Sequence, residues 1–181
     1  MNKNNIFHFG FFASLFIFFC FSCQFEVVEP NESGVLFKRF KGGLEKDQIY
    51  NQGIHPIAPW DRMIKYNTDI QEISETISVL TKDGKTYSCL YKCNFQCRSS
   101  EIGYLHETIG DDYIHTILKP NMRTAIQETF GMYLLDEIKS FENSRWENIL
   151  IDKAKPLIEK KYFLLHSVFI EPTARPTSKT K

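Results

Sequence analysis

The sequence predicts an α+β domain, because strand signals fill its first half, helical signals follow and one strand signal comes last. Its 181 residues suit one domain of ordinary size rather than a multidomain enzyme. Lysine and arginine total 22, aspartate and glutamate also total 22, and the net charge is therefore zero. A neutral chain lacks the concentrated basic face of a nucleic-acid-binding protein, so we expect no nucleic-acid partner.

Residues 1–23 form an apolar leader, in which Lys3 precedes a run from Ile6 to Cys23. A basic start before an apolar run is typical of an export signal. The run lies near the lower limit for a membrane-spanning helix, which needs roughly 20 apolar residues. The leader is therefore either a cleaved signal peptide or a retained N-terminal membrane anchor. Both interpretations put the protein on a membrane.

The end of the leader, Phe21-Ser22-Cys23-Gln24, resembles the lipobox of bacterial lipoproteins. That resemblance implies lipidation of the Cys23 sulfur, cleavage before Cys23 and a lipid-held mature chain on the exported side of a bacterial inner or outer membrane. Cys20 and Phe21 depart from the usual leucine and small residue. In the alternative, Cys20 and Cys23 are apolar residues of a retained helix. We favour lipidation, because a spanning segment is more often longer and flanked by charges.

Behind the leader, the predicted strands are Val35–Phe40, Ile64–Ile70 and Ile73–Leu80. The segment Gly53–Trp60 contains two prolines, which fit an edge strand or a loop rather than a central strand. Asp83-Gly84 then interrupts the apolar pattern and predicts a tight hairpin turn.

The strand after this turn alternates, and its inward face carries Tyr87, Cys89, Tyr91, Cys93, Phe95 and Cys97. Four residues of a strand cover roughly 13 Å, whereas zinc–sulfur bonds are about 2.3 Å long. Neighbouring cysteines of this set therefore cannot share one metal ion, and we expect all three to pack in the core. A small binding or redox lipoprotein that uses Cys89, Cys93 and Cys97 stays open as the alternative function.

Helical spacing begins after Arg98, with apolar residues from Ile114 to Thr129 and again from Trp146 to Ile158. Pro120 predicts a kink or a break in the first helix, and Pro156 predicts a kink near the end of the second. Ser144 and Glu147 have the spacing of a capping box.

Between these two helices, Leu134–Ile138 predicts a further helical turn. Phe163–Ile170 predicts a final strand, apolar on both faces. The proline- and threonine-rich end, residues 172–181, predicts a flexible tail.

Catalytic motifs give no positive signal. His106-Glu107 begins like a zinc-protease HExxH motif, but Gly110 stands where the second histidine belongs. Asp111-Asp112 are adjacent on the chain and suit helix capping better than paired acid–base catalysis. The nucleophile elbow and the phosphate- and dinucleotide-binding glycine loops are all missing from the sequence. We therefore predict a protein that is not an enzyme and has no catalytic residue, no cofactor and no metal.

Four stretches together resemble the prohibitin branch of the SPFH (band 7) family. They are Val28–Val35, Gly53–Trp60, Thr81–Gly84, and the pair Ile102–Gly110 and Leu118–Arg123 with Tyr113 before the latter. The resemblance runs from about Val28 to Ile170. It implies an SPFH-type domain over residues 24–171, behind the leader at 1–23 and before the tail at 172–181.

The same resemblance implies the partners. Family members are membrane-tethered, non-enzymatic scaffolds that assemble into rings or cages and often regulate membrane proteases. The expected partners are membrane lipid, further copies or paralogous SPFH subunits, and a membrane protease. In the family a long charged coiled coil follows the last strand, whereas no heptad run occurs in this sequence. A truncated relative, a subunit that joins rings of longer paralogues and the product of a damaged gene all stay open.

Overall fold

The computed structural model describes residues 24–159 and 162–172. The leader, with Cys20 and the proposed lipidation site Cys23, lies outside the described residues, and so do residues 173–181 of the expected tail. The chain forms two compact units, Met1–Tyr66 and Asn67–Lys181, which we call the first and second unit. Among the described residues, no helix is both long and apolar enough to cross a bilayer.

The described part of the first unit consists of short strands in two sheets. The strands are β1 (Gln24–Val28), β2 (Glu32–Lys38), β3 (Gly43–Tyr50), β4 (Gly53–Ile57) and β5 (Arg62–Asn67). β1 pairs with β4, and the second sheet has the order β3-β2-β5. The β1–β4 and β2–β3 pairs are antiparallel. The core is built from Val28, Leu36, Ile57 and Met63, with Tyr50 packed against them.

The predictions for this part are confirmed for β2 and β5, and the edge position predicted for Gly53–Trp60 is confirmed by β4. Strand β1 is not among the strands predicted from the sequence, and neither is β3. This strand lies at the edge of its sheet and carries Glu45, Lys46 and Asp47 in a row. Charged residues are common on edge strands, where they oppose pairing with other chains, and here they hide the alternation.

Gly34 is needed in β2 because of a close approach. A Cβ atom at this position would lie 2.6 Å from Met63 Sδ and 3.1 Å from Met63 Cγ. The pairing of β2 with β3 is also irregular between Gly34 and Leu36. The glycine therefore lets the side chain of Met63 from β5 pack directly on the backbone of β2.

The second unit contains one antiparallel sheet of β6 (Gln71–Leu80), β7 (Thr86–Cys97) and β8 (Phe163–Pro172), in that order. The hairpin predicted at Asp83-Gly84 is confirmed, and Gly84 has the positive φ of +71° that favours glycine. The final strand is confirmed as well. It includes Pro172, the first residue of the expected tail.

The helices lie between β7 and β8 in the sequence. They are α1 (Ile102–Thr108), a π-helical turn (Ile114–Leu118), α2 (Lys119–Phe130), α3 (Leu135–Ser140) and α4 (Asn143–Ile158). The interruption predicted at Pro120 is confirmed as a change of hydrogen bonding. The N–H of Lys119 bonds to the carbonyl of Ile114, five residues back. Pro120, which has no N–H, lies in the first turn of α2, where no intrahelical N–H bond is required.

The helices bury one apolar stripe each, as their spacing predicted. The inward residues are Met122, Ala125, Ile126 and Phe130 of α2, and Trp146, Leu150, Ala154 and Ile158 of α4. The rings of Phe130 and Trp146 pack edge to face, with their centroids 4.9 Å apart. The capping box predicted at Ser144 is wrong, because α4 begins at Asn143 with Glu142 at its N-cap and no side-chain cap. The α+β fold class is confirmed.

Candidate interaction surfaces and the cysteine strand

One face of the β1–β4 ribbon in the first unit is apolar and exposed. Antiparallel pairing sets Phe25 opposite Pro56 and Val27 opposite Ile54. Phe25 is 65% exposed, Ile54 is 68% exposed, and the other two are exposed as well. Opposite residues have Cβ atoms about 5 Å apart, so the four side chains form one continuous surface, which we call the ribbon face. Large contiguous apolar patches mark interaction sites, and the ribbon face is a candidate for one.

A second exposed group in the first unit is an aromatic pair. The rings of Phe40 and Trp60 meet edge to face with centroids 5.9 Å apart. Phe40 belongs to the β2–β3 turn and Trp60 to the β4–β5 loop. The backbone N–H of Arg39 donates to Asp61 Oδ1 at 3.1 Å and joins these two segments. The Arg39 guanidinium carbon lies 6.0 Å from the centre of the Phe40 ring, so a cation borders the pair.

Trp60 of the aromatic pair follows the end of the ribbon closely in the sequence. Gln24, the first residue of β1, pairs with Ile57, the last residue of β4. Trp60 follows Ile57 by three residues, and Phe25 follows Gln24 directly. Phe25 and Trp60 therefore lie within one and three residues, respectively, of the Gln24–Ile57 end of the ribbon.

In the second unit, the cysteine strand is confirmed as β7. Cys89, Cys93 and Cys97 are all buried on the core face of the sheet. Burial raises the pKa of the Cys89 and Cys93 thiols to about 12 and that of Cys97 to about 11. Protonated buried thiols are poor nucleophiles and poor metal ligands. Within residues 24–159 and 162–172, no group of three or more histidine, cysteine or acidic side chains could hold a metal ion.

The histidine that begins the zinc-protease-like motif contacts an acidic residue five positions along the chain. His106 Nδ1 lies 3.1 Å from Asp111 Oδ1, after a turn at Gly110 with φ +85°. Asp111 thus faces an imidazole rather than a second carboxylate. Asp112 contributes its backbone carbonyl, which accepts a hydrogen bond from Thr116. This arrangement gives neither a two-histidine metal site nor a carboxylate pair.

The β6–β7 turn holds a carboxylate, Asp83, whose tertiary bonds no local sequence pattern predicts. Asp83 accepts hydrogen bonds from the hydroxyl of Thr81 at 2.6 Å and from the N–H of Leu135 at 3.3 Å. Lys85 Nζ lies 2.9 Å from its other carboxylate oxygen. The turn is thereby tied to the start of α3, and the nearby backbone bond from Lys82 to Tyr133 strengthens the link.

The same part of the second unit carries a smaller exposed apolar group. Leu80 ends β6, and its carbonyl oxygen would lie 3.8 Å from a Cβ atom at Gly131, so it borders the α2–α3 loop. Met132 and Leu134 of that loop are exposed too. This group is similar in exposure to the ribbon face but lies in the second unit.

Comparison with known proteins adds two findings. Residues 26–159 match the model of the SPFH domain / Band 7 family. The chain is also similar to Prohibitin-2 of Dictyostelium discoideum, with 31% identity over 94 residues. That alignment covers 50% of this chain and 31% of the relative, so the chain spans about a third of the relative's length.

Proposed function

Because the chain belongs to the SPFH domain / Band 7 family, we propose that it is a non-catalytic scaffold, held at a bilayer by its N-terminal leader. The observation that carries this proposal is the family match over residues 26–159, most of the chain behind the leader. Proteins of this family are generally membrane-associated scaffolds without enzymatic activity. The buried, protonated thiols of β7 agree with a domain that performs no chemistry of its own.

The proposed anchor is a lipid on Cys23, in a chain organised as leader 1–23, SPFH-type domain 24–171 and tail 172–181. The domain would lie on the exported side of a bacterial inner or outer membrane. Two or more acyl chains hold a protein firmly, since each buried methylene contributes about 0.8 kcal/mol. A retained transmembrane helix is the competing form of the same anchor.

Labelling with a clickable fatty acid in a lipoprotein-processing bacterium tests the anchor. We expect label on the wild-type full chain and on Cys20→Ser, and none on Cys23→Ser. Cys20→Ser is the matched control, because both cysteines lie at the end of the same apolar run. If the wild type carries no label but still resists carbonate extraction, the anchor is a transmembrane helix and not a lipid.

The proposed partners are further copies of the chain, longer paralogous SPFH subunits and a membrane protease that the assembly regulates. Sizing of the full chain in mild detergent, alone and with a paralogue present, tests assembly. We expect a species larger than the monomer in at least one of these samples. Lone monomers in both would contradict the scaffold function.

A further inference from the structure

We propose that the outer edge of β6, in the second unit, is a pairing surface for a second copy of the chain, which adds its own β6 there in the antiparallel direction. This inference rests on the proposed assembly into larger species and gives that assembly one specific contact. The two three-stranded sheets would become one continuous sheet around a two-fold axis.

The first step of the argument is the backbone of β6. The strand lies at an edge of its sheet, with β7 as its neighbour on one side. The N–H of Thr81, directly after β6, bonds to the carbonyl of Lys85. Because the bonds of an antiparallel pair alternate, odd-numbered residues of β6 face β7, and even-numbered residues turn their N–H and C=O groups outward. Within residues 24–159 and 162–172, no other strand pairs with that outer edge.

The second step is the contrast between the two edges of the sheet. β8, the opposite edge, pairs with β7 through a register shift and ends at Pro172, and both features discourage pairing with another chain. β6 pairs with β7 over residues 71–80 without a shift and contains neither proline nor lysine. Its even-numbered side chains are all exposed, namely Glu72, Ser74, Thr76, Ser78 and Leu80. This long, regular edge therefore suits an added strand.

The third step is the register of two antiparallel β6 strands. A slip of one residue would set exposed side chains beside buried ones, so even-numbered positions must pair with even-numbered positions. A register with Glu75 opposite its own copy would oppose like charges. The longest remaining overlap covers residues 72–80 and places Thr76 opposite its own copy. Ser74 then lies opposite Ser78 of the second copy.

The side chains of this register complement each other. Opposed serine and threonine hydroxyl groups stabilise a strand pair. Ser78 already bonds to Ser88 of β7, with 2.8 Å between the hydroxyl oxygens, and Ser74 of the second copy would continue this row. On the inner face, the charge of Glu75 is already matched by hydrogen bonds from Arg123. The register therefore sets no carboxylate opposite another.

Disulfide trapping in intact membranes tests the pairing and its register. All variants are full chains with Cys20→Ser, and the three cysteines of β7 are buried. Thr76→Cys puts two thiols on opposite strands with Cβ atoms about 5 Å apart, so we expect a disulfide-linked dimer after mild oxidation. Glu72→Cys is the matched control, because its two copies would lie roughly 27 Å apart. Glu72→Cys combined with Leu80→Cys should cross-link again.

A charge on the two-fold axis should separate the strands. Thr76→Lys sets two ammonium groups opposite each other, whereas Asn148→Lys adds the same side chain at an exposed position of α4. In the chain with Glu72→Cys and Leu80→Cys, we expect Thr76→Lys to reduce the cross-linked dimer by about fivefold or more. Asn148→Lys should leave its amount unchanged.

Sizing of the same samples separates this inference from the proposed assembly. Larger species in which Thr76→Cys cross-links and Glu72→Cys does not support both. Larger species with any other pattern for these two variants overturn the edge pairing, while assembly stands. A disulfide from Thr76→Cys to a different protein also overturns the pairing, because another partner then occupies the edge. Lone monomers in every variant overturn assembly and pairing together.

Discussion

The carboxylate of Asp83 accepts a hydrogen bond from the backbone N–H of Leu135, with 3.3 Å between Oδ1 and N. Leu135 is the first residue of α3, so the β6–β7 turn satisfies an N–H group that the helix itself leaves unpaired. Bonds from Thr81 and Lys85, together with this one, hold the pKa of Asp83 well below its usual range. A hairpin turn and a helix start 52 residues apart are thus stabilised by one carboxylate.

Replacing Asp83 by asparagine should lower the thermal midpoint of the second unit at neutral pH, because the charge interactions with Lys85 and the helix N-terminus are lost. Since folding lowers the pKa of Asp83, its stabilisation is fully present above the unfolded-state pKa of about 3.9. It declines as pH falls below that value and vanishes below the folded-state pKa. Calorimetry of both proteins from pH 7 downward should therefore show converging midpoints. A midpoint difference that stays constant with pH would contradict the role of the charge.

A second carboxylate, Glu75 of β6, joins the sheet to α2. Arg123 donates to it through Nε at 2.8 Å and through Nη2, and the Tyr91 hydroxyl donates at 3.2 Å. The Arg123 hydrogen bonds are the largest cause of the lowered pKa of Glu75. This two-pronged geometry is specific to a guanidinium group.

We expect Arg123→Ala to raise the pKa of Glu75, and Arg123→Lys to raise it less, because lysine keeps the charge but not the paired bonds. The wild type should be more stable than Arg123→Ala above the unfolded-state pKa of about 4.3, and this advantage should shrink as the carboxylate protonates. Carboxyl NMR titration measures the pKa of Glu75. Denaturation at two pH values measures the difference in unfolding free energy between the wild type and Arg123→Ala. An unchanged Glu75 pKa in Arg123→Ala would contradict the assignment.

A structural feature could be predicted from the sequence when its residues lie close together along the chain, and could not when they are distant along the chain. The alternation of Cys89, Cys93 and Cys97 is local, so both their strand and their burial followed from it. Strand β3 escaped prediction because edge strands tolerate a charged run. The bond between Asp83 and Leu135 depends on the tertiary fold.

The exposed apolar surface of the first unit likewise could not be predicted from local sequence patterns. Phe25 and Val27 flank Glu26 in an alternating pattern, which was the one local signal for a strand there. That pattern cannot tell which face is buried, and in β1 Phe25 and Val27 are exposed while Val28 is buried in the core. Trp60 and Phe40, 20 positions apart in the numbering, meet through two turns that no short pattern relates.

The thiols of β7 should resist alkylation in the folded protein. At pH 8 the raised pKa of Cys93, about 12, leaves about a thousandfold less thiolate than an exposed cysteine has. Iodoacetamide treatment of the native and the denatured chain, followed by peptide mapping, should show Cys89, Cys93 and Cys97 modified only after denaturation. Rapid native labelling, or stoichiometric zinc or iron in the purified protein, would instead favour the binding or redox alternative.

The close contact between Gly34 and Met63 predicts a coupling that a double-mutant cycle can measure. Gly34→Ala places a methyl group against Met63 Sδ and should cost about 1–3 kcal/mol of unfolding free energy through overpacking. Met63→Ala should cost about 2–5 kcal/mol, because it opens a cavity in the first-unit core. In the double variant the new methyl group occupies space that Met63 has vacated, so the combined cost should fall below the sum by about 0.5 kcal/mol or more. Urea denaturation of the four proteins gives the coupling, and strictly additive costs would mean that Met63 does not rest on the β2 backbone at Gly34.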